Sequence, residues 1–174
     1  EIHNARLKKK AYIVAKMNSL VDSEIIEKLY EASAAGVKIR LIVRAILSLV
    51  VDGSSQSKNI QAVSIVDKYL EHSRVFLFCN GGKEKLYISS GDWMTRNISH
   101  RVEVACPIYD PDIRDELRAM LWLQLNDNTK ARVLDREERN NYQKNTQPKR
   151  IRAQEEFYTY LQSGSLDPVF DVEF

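Results

Sequence analysis

Cysteine is scarce in this chain, and so is anything resembling a membrane segment. Two cysteines in 174 residues are too few for a disulfide framework, and neither falls in a metal-ligand spacing. Both lie in apolar, strand-like runs, so Cys79 and Cys106 read as small buried hydrophobes, as suits a reducing compartment. No apolar run approaches the length of a bilayer span. There is no internal repeat, no low-complexity tract, no zinc-finger spacing and no aromatic pattern of an RNA-recognition sheet, so a sequence-specific nucleic-acid reader is not indicated. The opening residues Glu1 to Leu7 contain neither an initiator methionine nor a signal-peptide core and read as the end of a helix, so we expect a fragment of a longer chain.

What is present is ordinary for one globular domain: 44% hydrophobic and 29% charged residues with a net charge of +2, enough chain for a real core and too little for a second domain. The charge is unevenly spread. Residues 6 to 16 carry Arg6, Lys8, Lys9, Lys10 and Lys16 without an acid, and residues 127 to 152 hold eight Lys and Arg against four Asp and Glu. Such blocks are solvated faces or suit a polyanionic partner.

The pattern along the chain is α/β. Ala11 to Ala15 predicts a buried strand, and Asp22 caps a helix whose stripe runs from Ile25 to Ala32 before Gly36. Val37 to Val43 predicts a second strand, parallel to the first by the βαβ rule. A polar loop over 52–57 follows, then an irregular connection with a helical turn over 60–70. Val75 to Cys79 and Lys85 to Ser90 predict a hairpin about the turn Asn80-Gly81-Gly82. Arg101 to Pro107 predicts a further strand with Arg101 and Glu103 on one face. Asp110-Pro111 starts a long amphipathic helix through Leu125. The segment 126–150 is polar and without period, and a last helix from about Ile151 ends at Gly164. We therefore expect a mixed, largely parallel sheet flanked by helices, forming one domain over 1–174 with 126–174 as a basic tail and terminal helix packed on it.

Chemistry gathers at the hairpin's outer ends. His72 and Arg74 stand at the entrance of the first arm, a proton-exchanging ring beside a fixed cation, which is a phosphate-handling pair. A surface histidine in an ion pair is the plain reading of the same residues. Ser89, Ser90, Gly91 and Asp92 end the second arm and should fall close to them, with Arg96 and Asn97 on a loop behind. Arg44, with Lys16 and Asn18, marks the C-terminal strand ends where ligands of parallel sheets collect.

The strings AKMNSLVDSEIIEKLYEASAAGVKIRLIVR (15–44), IVDKYLEHSRVF (65–76), NGG (80–82), LYISSGDWMTRN (86–97) and RVEV (101–104) resemble the C-terminal part of bacterial polyphosphate kinases. The tail strings TKAR (129–132) and RIRAQ (150–154) are similar to that family's ending. That domain in turn resembles one half of the phospholipase D-like fold, whose His-x-Lys and Gly-Ser-x-Asn motifs correspond here to His72-x-Arg74 and Ser89-Ser90-Gly91-Asp92. Arg replaces Lys and Asp replaces Asn, a departure from the phosphodiesterase pattern.

The resemblance implies reversible transfer of the terminal phosphate of ATP to polyphosphate, with Mg2+ accompanying the nucleotide and no metal ligand within this chain. It implies His72 as a catalytic and phosphate-binding residue, Arg44 as a phosphate-binding residue, and a phosphorylated histidine supplied by an upstream domain. Arg74, Asp92, Arg96, Arg101 and Glu103 are supporting candidates. ADP, the upstream domains and a second copy of the full chain are the expected partners, in a cytoplasmic setting that leaves room for peripheral membrane association. Ala45 and Val50-Val51 depart from the family pattern after Arg44, and Gly91 stands where an alanine is usual, which should only loosen the turn. The competing functions are a phosphodiesterase half active as a homodimer and a non-catalytic polyanion-binding module.

Overall fold

A computed structural model describes residues 1–144, 147, 149–164 and 174. The described residues form, in chain order, α1 (Ile2–Arg6), β1 (Tyr12–Met17), α2 (Ser23–Ala34), β2 (Lys38–Val43), β3 (Ile60–Ser64), β4 (Val75–Phe78), β5 (Lys85–Ser89), α3 (Thr95–His100), β6 (Ala105–Pro107), α4 (Pro111–Leu125), β7 (Arg132–Val133) and α5 (Ala153–Ser163). The strands make one sheet in the order β6-β5-β4-β1-β2-β3-β7.

β1 is central and buried along its whole length. Its residues alternate between two cores. Tyr12 and Val14 join Ile42, Val75 and Leu77 beneath Leu121, Trp122 and Leu123 of α4. Ile13, Ala15 and Met17 join Ile39, Leu41 and Phe76 beneath Leu29 and Ala32 of α2. A strand covered on both faces must be apolar throughout, so the continuous run is the sequence signature of this position. Each fully buried Leu in these layers, such as Leu121 and Leu123, contributes roughly 1.5–3 kcal/mol.

The expected caps are in place. Asp22 accepts from the Ile25 N–H, Asp110 accepts from the Asp112 and Ile113 N–H groups ahead of Pro111, and Gly164 ends α5 in the left-handed region at φ 71°. The last helix begins at Ala153, two residues after the fully buried Ile151.

Several expectations are corrected. The sheet is mixed and flanked by helices but not largely parallel: β1–β2 and β2–β3 are parallel, while β1–β4, β4–β5, β5–β6 and β3–β7 are antiparallel. The hairpin enters beside β1 in the opposite sense, so the parallel rule governs only the first three strands. The start of the 60–70 connection is strand β3, with Ile60 and Ala62 packed toward α2 and Val63 toward α4. Only Ala105–Pro107 of the 101–107 run is a strand, and it lies at the sheet edge, which leaves Cys106 exposed while Cys79 is buried. Arg96 and Asn97 stand on α3 rather than on a loop. The two-residue strand β7 interrupts the segment that had no period.

Beyond α4 the chain is tied down by Asp127, which is fully buried. Its Oδ1 accepts from the N–H groups of Thr129, Lys130 and Ala131 at 2.8, 2.6 and 3.2 Å, and its Oδ2 from that of Ala153 at 2.8 Å. One carboxylate thus closes the turn after α4 and starts α5. Asp127→Ala strands four backbone donors and is expected to lower unfolding stability by about 2–4 kcal/mol, measured by urea denaturation with an unchanged slope.

Candidate functional site

β1 and β2 are parallel and β4 runs against β1, pairing Lys16 with Val75. The ends of β1 and β2 and the start of β4 therefore share one edge of the sheet. This edge receives Lys16, Asn18, Arg44, His72 and Arg74, and the segment after β5 brings Asp92 to it.

Arg74 and Asp92 form its centre. Arg74 Nε donates to Asp92 Oδ1 at 3.0 Å and Nη2 to Oδ2 at 3.2 Å, a two-pronged ion pair. Asp92 Oδ1 also accepts from the Asn18 N–H at 2.8 Å. The pair is sheltered, with side-chain exposures of 13% and 9%. Burial alone would raise the Asp92 pKa, but the hydrogen bonds from Arg74 and from the Asn18 and Ser19 backbone outweigh it and hold the carboxyl below the usual range.

His72 is exposed and lies against the Arg74 guanidinium, with Nδ1 at 3.4 Å from Nη1 and Nε2 at 3.3 Å from Nη2. Both ring nitrogens thus stand within hydrogen-bonding distance of the guanidinium. Arg74 Nη1 also donates to the His72 carbonyl at 3.1 Å. The sequence expectation that His72 and Arg74 share a face holds. Arg74, however, has its fork occupied by Asp92.

Lys16 is 3% exposed. Its ammonium donates to the Ser73 carbonyl at 3.1 Å and lies 3.6 Å from the Glu71 carboxylate. Desolvation lowers its pKa, opposed by Glu71, and the charges of Arg44 and Arg74 lower it further, so these cations are electrostatic neighbours. Arg44 is half-buried, and no carboxylate pairs with it among the described residues. Its carbonyl accepts from Ser64 Oγ at 3.2 Å, which joins the ends of β2 and β3.

Glu103 is engaged by Ser90 and Asn97. Ser90 Oγ donates to Glu103 Oε2, and Asn97 Nδ2 donates to Oε1 at 2.6 Å. The Ser90 bond, then the Asn97 bond, lowers its pKa, with Arg101 adding attraction. Arg96 and Arg101 are exposed on and after α3 and pair with neither Asp92 nor Glu103. Gly91 does more than loosen the turn: a Cβ there would sit 2.8 Å from Glu103 Cγ and 2.9 Å from Cδ. The missing side chain makes room for Glu103, whose carboxylate then fixes Ser90 and α3.

Lys8, Lys9 and Lys10 of the first basic block are exposed, whereas several cations of the second are engaged within the fold. Strand β1, about 20 Å long at ~3.3 Å per residue, puts Arg6 to Lys10 at the end of the sheet opposite Lys16 and His72. In the second block Arg152 is bound to Asp67, Arg139 to Asp135, and Lys149 lies 3.9 Å from Glu156. Sequence reasoning also missed Glu71, Gln124 and Gln154, polar residues without a motif. Their only sequence signal is polarity at a position that turns out buried or half-buried.

No group of three or more His, Cys, Asp or Glu side chains among the described residues is arranged to hold a metal ion. The acids at this edge are each committed elsewhere, and the arrangement does not fit a resident Mg2+ site. No helix among the described residues is long and apolar enough to cross a membrane.

Because the Asp92 pKa is depressed, the stabilisation it gives is complete above the unfolded value of about 3.9 and is lost as pH falls through the lower folded value. Asp92→Asn should remove this acid-sensitive component and cost about 3 kcal/mol near neutral pH by leaving Arg74 unpaired. Urea titrations of both proteins from pH 7 downward measure this; parallel curves below pH 4 would contradict it.

Comparison with known proteins agrees with this architecture. The family model described as polyphosphate kinase C-terminal domain 2 matches residues 1–154. The polyphosphate kinase of Vibrio vulnificus strain YJ016 is 47% identical over 163 residues, 94% of this chain and 23% of its own length. That of Escherichia coli K12 is 44% identical, with 94% and 24% covered. The chain therefore spans about a quarter of the length of the curated relatives it matches. The crystal structure of polyphosphate kinase from Porphyromonas gingivalis superposes with a TM-score of 0.90 at 48% identity, covering 94% of this chain and 25% of that one. Nuc of Salmonella typhimurium, a phospholipase D family member, superposes with a TM-score of 0.55 at 15% identity over 77% of this chain and 88% of its own, a likeness of fold alone. A matched model over most of the chain, and relatives that share nearly half its residues, establish that this chain belongs to the polyphosphate kinase C-terminal domain 2 family.

Proposed function

We propose that this chain is the C-terminal catalytic part of an ATP:polyphosphate phosphotransferase, one domain over 1–174 with a tail from 126 whose described residues pack on it, residues 145–146, 148 and 165–173 of the expected 126–174 tail lying outside the described residues, and that it works with upstream domains that supply a phosphorylated histidine. The observation that carries the reading is that an exposed imidazole, His72, and an arginine, Arg44, with no carboxylate partner among the described residues, stand at the same sheet edge. In-line phosphoryl transfer asks of a protein mainly position and charge. Arg44 presents a two-pronged donor to a phosphate, and His72 donates a proton or hydrogen bond to the transferring or leaving oxygen. Arg74 and Asp92 support the ring, and Glu103 supports the segment behind it; Arg96 and Arg101 contribute positive potential at the rim. Mg2+ enters on the nucleotide phosphates rather than on side chains of this chain. ATP, ADP and polyphosphate are then the ligands, in a cytoplasmic enzyme that works as a homo-oligomer.

The phosphodiesterase reading is disfavoured because the Arg74 fork is already occupied by Asp92. Residues 1–174 alone should make no polyphosphate from ATP and Mg2+, as the phosphorylated histidine is elsewhere. They should still bind long polyphosphate with an affinity that falls steeply with salt. Synthesis by the isolated segment, or binding indifferent to salt, would count against the proposal.

Substitution in the full-length enzyme separates the roles. If His72 acts as a general acid, His72→Ala and His72→Gln both lose about 10² to 10⁴ fold in kcat; if it only binds phosphate, His72→Gln keeps most activity and mainly weakens ATP binding. Arg44→Lys keeps the charge but not the fork, so the ATP requirement should rise while the phosphorylated intermediate still forms at saturation. Wild-type turnover from both His72 variants would remove the catalytic reading of this edge.

A further inference from the structure

The segment between β3 and β4 that delivers His72 has no helix or strand of its own. It is nevertheless fixed at every second residue. The Asp67 carboxylate receives Arg152 Nε at 2.9 Å and Nη2 at 2.8 Å. The Tyr69 N–H donates to Gln154 Oε1 at 2.8 Å, and Gln154 Nε2 donates back to the Tyr69 carbonyl at 2.8 Å. Gln124 Nε2 donates to the Glu71 carboxylate at 2.7 Å, and Lys16 holds the Ser73 carbonyl at 3.1 Å. The alternation is one of hydrogen bonding rather than burial: Val66, Lys68, Leu70 and His72 are exposed, and so are Tyr69 and Ser73, which are held through their backbone.

This alternation has a physical consequence. A strand is held by ladder hydrogen bonds, and here side chains from α4, α5 and β1 stand in for a missing neighbour. Gln154 satisfies both polar groups of one backbone residue, as a paired strand would. The anchors lie far away in sequence, 85 residues for both Asp67–Arg152 and Tyr69–Gln154. Arg152 is itself the residue before α5, whose first N–H is held by Asp127. The string RIRAQ, read from sequence as part of a basic tail, thus spends its second arginine and its glutamine inward, on the segment that presents His72.

We propose that Gln154 and Arg152, assisted by Gln124, are positioning residues for His72: they touch no reacting atom and act by fixing the backbone from which the imidazole projects. The inference rests on the reading of His72 given above. Gln154 is only 8% exposed, so Gln154→Leu keeps its volume and removes both hydrogen bonds to Tyr69, while Gln154→Glu keeps the acceptor alone. Arg152→Lys keeps the charge and loses the fork on Asp67.

The test uses the full-length kinase. Gln154→Leu should lower kcat by about 10- to 100-fold, the scale of a misplacement near 1 Å, with KM for ATP little changed. Gln154→Glu should fall between it and wild type, and Arg152→Lys should follow the same pattern if Gln154→Leu does not fold. Hydrogen–deuterium exchange should quicken in the peptide spanning 66–74 and not across β1 and β2. In a His72→Ala background, Gln154→Leu should produce no further loss, because its effect passes through the imidazole. Unchanged kcat despite faster exchange in 66–74 would overturn the proposal, as would a loss that persists in full in the His72→Ala background. If His72→Ala itself turns over like wild type, the reading of His72 fails instead, which the single variant shows separately.

Discussion

The ion pair between Arg74 and Asp92 organises the whole edge of the sheet. It links the start of β4 to the segment after β5, and through the Asn18 N–H it links both to the end of β1. Burying two charges is costly, and the cost is offset only when the remaining hydrogen-bonding positions are filled. Here they are filled: two prongs of the guanidinium meet the two carboxylate oxygens, and backbone donors complete the carboxylate. Trp93, next in sequence, stacks on Phe76 with ring centres 4.8 Å apart, so the same segment is held by an apolar contact on the α2 side of the sheet. With Arg74 thus held, its guanidinium gives the exposed ring of His72 a fixed neighbour.

This pair also explains the two departures from the phosphodiesterase pattern. Arg in place of Lys and Asp in place of Asn are the two halves of one interaction. A lysine cannot supply the planar fork that meets both carboxylate oxygens, and an asparagine cannot neutralise the charge. In this chain the cation is engaged by its neighbour Asp92. Arg44, one strand beyond Lys16, has no carboxylate partner among the described residues.

Local chemistry made part of this architecture legible. Asp22, Asp110 and Gly164 announced helix ends because caps act within a few residues. The hairpin announced itself through its Asn-Gly-Gly turn, and so the approach of Asp92 to Arg74 followed from sequence. The rest depended on distant neighbours. That β4 lies against β1 rather than β3 is a property of the assembled sheet, and it makes most pairings antiparallel. Strand β3 was hidden by its shortness, and by Gln61 and Ser64 within it. Cys106 looked like a core residue because an edge strand of three residues has the composition of a buried one. Gly91 carried no sign that Glu103, twelve positions on, would occupy the space above it.

The position of His72 outside any strand follows from the same layering. Both faces of the sheet are covered, by α2 on one side and α4 with α5 on the other, so a side chain inside β4 points into one core or the other. An imidazole that has to meet a ligand arriving from outside must therefore stand before the strand begins, where the ladder no longer fixes the backbone. Such a position is open but unsupported. The fold resolves the conflict by giving Asp67, Tyr69, Glu71 and Ser73 a partner each, from well-packed elements: a central strand at Lys16, a core helix at Gln124 and the Asp127-anchored start of α5. The exposed segment that carries His72 is thus tied to buried elements, and Arg152 and Gln154, from what looks like a basic tail in sequence, are part of the support.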